Sequence, residues 1–196
     1  MSVDINSKDK AIEALEDKEL DINIIKEIYY NFKDNLEVSS KLAMNLSIRT
    51  SVYNRDKEKS EIIKELLVEL SESSDMGTRW AVGKNPHTPV KILEKLANDE
   101  INLVRALVAT NPNTPPTILN RFFSDEKIVR DGLSGNPSTP IKILNILADD
   151  ADKMTKLRVA ENPSTSKETL EKLLKDSNPD VKKTSEIKLK ENYEKC

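Results

Sequence analysis

Apolar residues in the C-terminal half of this chain fall three and four apart, in short runs that stop abruptly. Val104, Leu107 and Val108 lie on one helical face, and Ile118, Leu119, Phe122 and Phe123 form a second stripe. Between the two stand helix signals. Asp99 is placed to cap a first helix over 100–110. Asn111 precedes Pro112, and a residue before proline is pushed out of the α region, which ends that helix. Thr114 is placed to cap the next helix, with Pro115 at its first position, where a missing N–H costs nothing. The pattern predicts two short helices, each with its own stop.

The same pattern recurs. Asn85-Pro86-His87-Thr88-Pro89, Asn111-Pro112-Asn113-Thr114-Pro115, Asn136-Pro137-Ser138-Thr139-Pro140 and Asn162-Pro163-Ser164-Thr165-Ser166 follow one another at steps of 26, 25 and 26 residues. The second-helix stripe reads Ile92, Leu93, Leu96, Ala97, then Ile143, Leu144, Leu147, Ala148, then Thr169, Leu170, Leu173, Leu174. The last copy lacks the second proline, and Thr165 with Glu168 is placed to form a capping box. Gly83, Ala109, Ser134 and Ala160 put a small residue at one slot of every first helix, which predicts close contact between repeats there. A period of this length means stacked units, none able to bury its apolar face alone.

Val104-Arg105, Val108-Ala109, Asn111-Pro112, Thr114-Pro115 and the leucine-rich run after them resemble the leucine-rich repeat variant family, known by its Val-Arg and Asn-Pro signatures. The match covers about residues 75–190. It implies an all-α fold, a right-handed superhelical solenoid of stacked short helix pairs in which α and 3₁₀ helices alternate, HEAT- and armadillo-like in shape. Some members carry a cysteine-ligated iron–sulfur module ahead of the repeats. No cysteine precedes Cys196, so that feature is not carried over.

Three segments are expected: a divergent helical cap over 1–75, about four repeats over 76–180, and a C-terminal capping helix over 181–196. Within the cap, Val38 to Asn45 echoes Val104 to Asn111 at the same spacing, and Ile28, Tyr29 and Phe32 before Asp34 read as a worn second helix. Residues 7–45 are thus expected to hold one or two degenerate repeats, 46–60 an insertion, and 61–71 a helix. From Val181 onward the Asn-Pro is lost and Lys188 stands at the asparagine's slot, as expected of a polar closing helix.

Composition narrows the function. Only four glycines argue against a β-rich fold, which needs many turns. Residues 1–76 carry 17 acids against 11 bases and the remainder 17 against 20, so neither half advertises a nucleic-acid or membrane partner. The N-terminal sequence has neither basic nor apolar signal character, and no apolar run approaches the length of a membrane span, roughly 18 residues. A lone cysteine points to a reducing, cytoplasmic setting.

The sharpest candidate for partner binding is a ladder of cations. Arg79, Arg105, Arg130, Lys156 and Lys182 hold one slot of five successive first helices. Exposed, they would form a stripe of about 40 Å able to hold acidic peptide or follow a phosphate backbone. Paired with the acids at neighbouring helix starts (Asp75, Asp99 and Glu100, Asp125 and Glu126, Asp149 and Asp150, Asp176) they would instead lock repeats together, and the two stripes would cancel beyond about 8 Å. The interleaving favours pairing. The asparagines suit a structural ladder too, each bonding the exposed turn of the next unit.

Trp80, the sole tryptophan, shares its slot with Ala106, Asp131, Leu157 and Lys183, beside Lys84, Thr110, Gly135 and Glu161. A slot so variable is read as surface, making Trp80 and Leu157 candidate anchors for a protein or peptide. Trp80 has a competing reading, as a cover over the junction with the N-terminal helices. His87, the single histidine, reads as a solvated turn residue, and with no second histidine or nearby cysteine no metal site is expected. No phosphate loop, serine elbow or paired acidic motif suggests catalysis or a cofactor. The expected function is a non-enzymatic protein- or peptide-binding scaffold. A nucleic-acid binder of HEAT-like glycosylase type, or a structural spacer in a complex, are the alternatives.

Overall fold

The computed structural model describes residues 5–49 and 60–193, and every regular element among them is an α-helix. In chain order these are α1 (Lys8–Ala14), α2 (Ile22–Phe32), α3 (Leu36–Arg49), α4 (Glu61–Leu70), α5 (Met76–Lys84), α6 (Val90–Leu96), α7 (Asn102–Thr110), α8 (Pro116–Leu119), α9 (Lys127–Gly135), α10 (Ile141–Leu147), α11 (Lys153–Glu161), α12 (Lys167–Leu173) and α13 (Pro179–Tyr193). Helix pairs repeat through the chain, as the periodic apolar stripes require. The 3₁₀ helices that the family resemblance implied do not occur among the described residues. The chain forms two compact units, Met1–Val104 and Arg105–Cys196.

Each loop between the paired helices is held by the same two side chains. Asparagine closes the first helix: Oδ1 of Asn85, Asn111, Asn136 and Asn162 accepts the backbone N–H two residues on, at 2.8–2.9 Å. Threonine adds a second bond to a carbonyl of the helix's last turn that also accepts the backbone N–H of the closing asparagine, at 3.1–3.2 Å. The Oγ1 atoms of Thr88, Thr114, Thr139 and Thr165 donate to Val82, Val108, Leu133 and Val159 at 2.5–2.6 Å. Threonine therefore bonds backward and does not cap the second helix. Pro89, Pro115 and Pro140 occupy the N-cap positions. In the last copy the cap is Ser166, accepting from the Thr169 amide, one residue later than the expected Thr165.

The asparagine amides join repeat to repeat. Asn136 Nδ2 donates to the carbonyls of Ala109 and Asn111 at 2.7 and 2.8 Å. Asn162 Nδ2 does the same to Ser134 and Asn136 at 2.8 and 2.9 Å. These bonds run to the preceding unit, the reverse of the expected direction, because the loop lies over the carbonyl end of the helix before it. Ala109 and Ser134, two of the four small residues expected at the contact, supply the accepting carbonyls. A close approach lies nearby: a Cβ on Gly132 would stand 2.8 Å from the Ala106 carbonyl oxygen.

The N-terminal unit uses the same bond. Asn45 Nδ2 donates to the carbonyls of Leu15 and Asp17, both at 2.9 Å, just beyond α1. By this bond α1 and α3 take the place that first helices hold in the later repeats, each followed by a second helix, α2 and α4. Helix α3 continues through Arg49, so residues 46–49 belong to it and not to an insertion. Of the rest of that expected insertion, 50–59 lie outside the described residues, as does Cys196, and Ser60 is the N-cap of α4. Asn85 Nδ2 donates in turn to the Leu46 carbonyl at 3.1 Å.

Ile118, Leu119 and Phe122 are buried as the stripe requires, but Phe123 and Leu174 are exposed. Their slot holds the smaller Ala97 and Ala148, both buried, in the other repeats. Helix α13 buries Val181, Ser185 and Leu189, and packs on α11 and α12. The Tyr193 hydroxyl donates to the Thr165 carbonyl at 3.1 Å.

Candidate binding surface

The first helices carry the cation slot, and geometry settles where four of those side chains go. Arg79 makes a two-pronged contact with Asp99, Nε at 2.6 Å and Nη2 at 3.2 Å. Arg105 grips Asp125 likewise, at 2.9 and 2.8 Å. Arg130 Nε meets Asp150 at 2.7 Å, and Lys156 Nζ meets Asp176 at 2.6 Å. Each partner lies 20 residues ahead, on the loop that opens the next repeat. The arginines also reach back to their own repeat's opening loop. Arg79 Nη1 donates to the Ser73 and Ser74 carbonyls, and Arg130 Nη1 to that of Asp125. One side chain therefore ties two loops. With 13, 16, 26 and 14% of their side-chain surfaces exposed, these four cations are struts between repeats. Lys182 on α13 stays exposed.

The acids answer the cations. The Arg105 hydrogen bond is the main influence on Asp125 and holds its carboxyl below the usual value. For Asp150 and Asp176, burial is the largest single influence and acts upward. It is outweighed by Arg130 and Lys156 together with the amides of Asp152 and Asn178, so both carboxyls end below their usual value. The same hydrogen bonds push Arg79 and Arg130 up.

A second set of cations points the other way along the chain. Lys95 Nζ donates to the Ser71 carbonyl at 3.0 Å and pairs with Glu72 at 2.6 Å. Lys172 Nζ does the same with the Asn145 carbonyl and Asp149, at 2.9 and 2.6 Å. These second-helix lysines were missed in the sequence, where a lysine on an exposed face resembles any solvated charge. Their common position, seven residues after the loop threonine, was the available signal.

Side chains in the variable slot divide. Trp80 is half-buried, with the Lys84 ammonium 5.3 Å from its ring centroid. Asp131 is half-buried and accepts from Thr155 Oγ1 at 2.8 Å. Leu157 is half-buried and Lys183 exposed. Ala106 is buried beneath Gly132 and is not a surface residue, contrary to the expected strip. The exposed apolar slot lies elsewhere, two residues before the cation, at Leu103, Ile128 and Met154. Its signal was present in the sequence: these residues fall off the buried face. Lys84, Thr110, Gly135 and Glu161 are exposed as expected.

His87 is half-buried, its amide donating to Asn85 Oδ1, and so is less solvated than expected. Among the described residues no cluster of His, Cys, Asp and Glu could hold a metal ion, and no helix is long and apolar enough to cross a membrane.

No protein-family model and no curated protein matches the chain. A solved structure does. The chain is similar to one described as a leucine-rich repeat variant with a novel repetitive structural motif, at 21% identity and a TM-score of 0.37, covering 86% of this chain and 87% of that one. The family named there is the one the Val-Arg and Asn-Pro signatures resemble. The assignment of an all-α fold of stacked helix pairs stands on the bonds described above.

Proposed function

We propose that this chain is a non-enzymatic scaffold that holds a protein or peptide, in a reducing, cytoplasmic setting. The contact face in the C-terminal unit is the outer side of α9 and α11, with Ile128, Met154 and Leu157 as its apolar contacts. Trp80 serves as an anchor in the N-terminal unit. Arg79, Arg105, Arg130 and Lys156 act at one remove, by setting the spacing of the helices that present those side chains. One observation supports the reading most: groups recurring in every repeat turn onto a neighbour, while large apolar residues between them remain in solvent. Side chains of that kind, fixed on rigid helices, suit the centre of an interface.

The nucleic-acid alternative needs free cations in a row, and four of the five are engaged with carboxylates. Anisotropy with a labelled duplex at about 50 mM salt, where phosphate contacts are strongest, is expected to show no binding. The scaffold reading is tested with the immobilised chain and its M154D/L157D variant, using cell extract and quantitative mass spectrometry. Wild type is expected to retain a defined set of proteins that the variant loses, with unchanged circular dichroism for both. Equal retention by the folded variant would overturn the assignment of this face.

A further inference from the structure

The clasp that Lys95 makes from α6 has no counterpart on α4, the second helix before it. Lys95 directly precedes the buried Leu96 and reaches back to Glu72, two residues beyond the buried Leu70. Lys172 and Asp149 repeat the arrangement, one residue before Leu173 and two beyond Leu147. Carried one repeat towards the N-terminus, the same register sets Glu69 against Asp34. Ile63, Leu66, Leu67 and Leu70 of α4 match Ile25, Ile28, Tyr29 and Phe32 of α2 in spacing, so Glu69 stands where Lys95 does and Asp34 where Glu72 does. An acid fills the cation's slot and faces another acid.

The surroundings agree with that register. Asp34, Glu69 and Glu72 line one cavity of about 340 Å³, together with Tyr29, Leu36 and the exposed Lys33. Three of the four acids in residues 61–72 have cations of their own: Glu61 pairs with Lys64 and Glu65 with Lys26, both at 2.7 Å, and Glu72 with Lys95 at 2.6 Å. Glu69 forms no ion pair among the described residues. It accepts the Tyr29 hydroxyl at 3.5 Å, a neutral donor that leaves its charge unbalanced. Neither Asp34 nor Lys33 forms an ion pair among the described residues. Burial, then Glu69, with smaller effects of Tyr30 and Asp34, pushes the Tyr29 hydroxyl up, as two nearby carboxylates require. Two large side chains stand beside the acids in solvent: Leu36 in the lining, 52% exposed, and Tyr30, 53% exposed, whose ring meets that of Tyr29 edge-on at 5.2 Å.

We propose that this cavity receives a lysine or arginine side chain from a basic segment of a partner protein. The incoming cation takes the place that Lys95 and Lys172 hold in their own repeats, between Glu69 and Asp34. Like charges repel across the cavity, and a cation between them relieves that repulsion. Leu36 and Tyr30 cover the aliphatic stem behind the charged head. A departure from the local rule that gains the fold nothing is where function is expected. The site lies on α2 and α4 and depends neither on the α9–α11 face nor on Trp80.

The probe is a short fluorescent peptide of lysine, leucine and glycine, with glutamate in place of lysine as control, read by anisotropy at about 0.15 M salt. Wild type is expected to bind the basic peptide at least about tenfold tighter than the acidic one. E69K sets the missing cation against Asp34, so its melting temperature should hold or rise while binding falls by about tenfold or more. That separates loss of binding from loss of fold. D34N should lose binding by a similar factor. K33A, which removes the one cation of the lining, should bind at least as tightly as wild type. E19K makes the same charge change in the loop at the other end of α2 and should lose no more than about threefold. M154D/L157D, altered in the other unit, should bind as wild type does. Equal losses in E19K and E69K would mean that net charge alone attracts the peptide, and would overturn the site. So would undiminished binding by E69K, a loss in K33A, or no binding to wild type at about 100 μM peptide.

Discussion

Replacing Asn136 by alanine removes the one side chain that both closes its own loop and ties it to the repeat before. The amide is buried and donates at 2.7 and 2.8 Å to the carbonyls of Ala109 and Asn111, while Oδ1 accepts from the Ser138 amide at 2.8 Å. Alanine leaves the buried Ala109 carbonyl and the half-buried Ser138 amide without this partner, while the Asn111 carbonyl keeps the Thr114 amide at 3.0 Å. An unmet buried group costs about 1–3 kcal/mol, so the loss is expected at about 3 kcal/mol, with Ser138 contributing least because water reaches it. Asn136→Asp is the sharper probe. It keeps the shape and the bond from Ser138, but sets a carboxylate against two carbonyl oxygens. At neutral pH it should cost at least as much as alanine. The assay is urea unfolding followed by circular dichroism, with exposed Asn120→Ala as a control expected within about 0.5 kcal/mol of wild type. If N136A and N120A prove equally mild, the ladder does not hold the repeats together.

Four further outcomes are expected. Gly132→Ala should destabilise by about 1–3 kcal/mol despite alanine's better helix propensity, since its Cβ would stand 2.8 Å from a backbone oxygen; Gly135→Ala, with a nearest neighbour at 3.5 Å, should be neutral or stabilising by up to about 1 kcal/mol, both read by thermal melts. Asp125, Asp150 and Asp176 have folded-state pKa values below 3.8, so their stabilisation is full above that value and is lost as pH falls through the lower folded values; the melting temperature should be level down to about pH 5 and drop below about pH 4. Arg130→Ala should lower stability by about 1–3 kcal/mol and make that acid drop shallower, because Asp150 then loses the partner that holds its proton off. Trp80→Ala should leave the circular dichroism spectrum intact while weakening capture of any partner that protects Trp80 from acrylamide quenching.

Much of the fold was legible because each signal acts locally. Proline after asparagine stops a helix wherever it stands, and the apolar spacing of Ile143, Leu144 and Leu147 requires a buried face. The pairing of Arg79, Arg105, Arg130 and Lys156 with acids was also readable, since the two charges recur with one period. What was not legible depends on direction. Threonine at a helix start is a good cap, yet in these loops it folds back onto the helix just finished, because that helix's end carbonyls are close and keep a lone pair to accept a second bond. The asparagine amide points to the preceding repeat for the same reason. Phe123 fits the buried stripe by type and spacing. Its slot is buried where the smaller alanine fills it, which shows only once the repeats are packed. The exposed Ile128 and Met154 are readable as breaks in the buried face, but the variability of the slot next to the cation is the louder signal.

The central claim is that the Asn136 and Asn162 side-chain amides are bonded to the repeat before them. Through-hydrogen-bond NMR couplings test it most directly, in a sample labelled with ¹⁵N and ¹³C. The account predicts correlations from Asn136 Nδ2 to the carbonyl carbons of Ala109 and Asn111, and from Asn162 Nδ2 to those of Ser134 and Asn136, with slowed exchange of both side-chain amides. Amide protons at these two positions that exchange as fast as those of a free asparagine would contradict it.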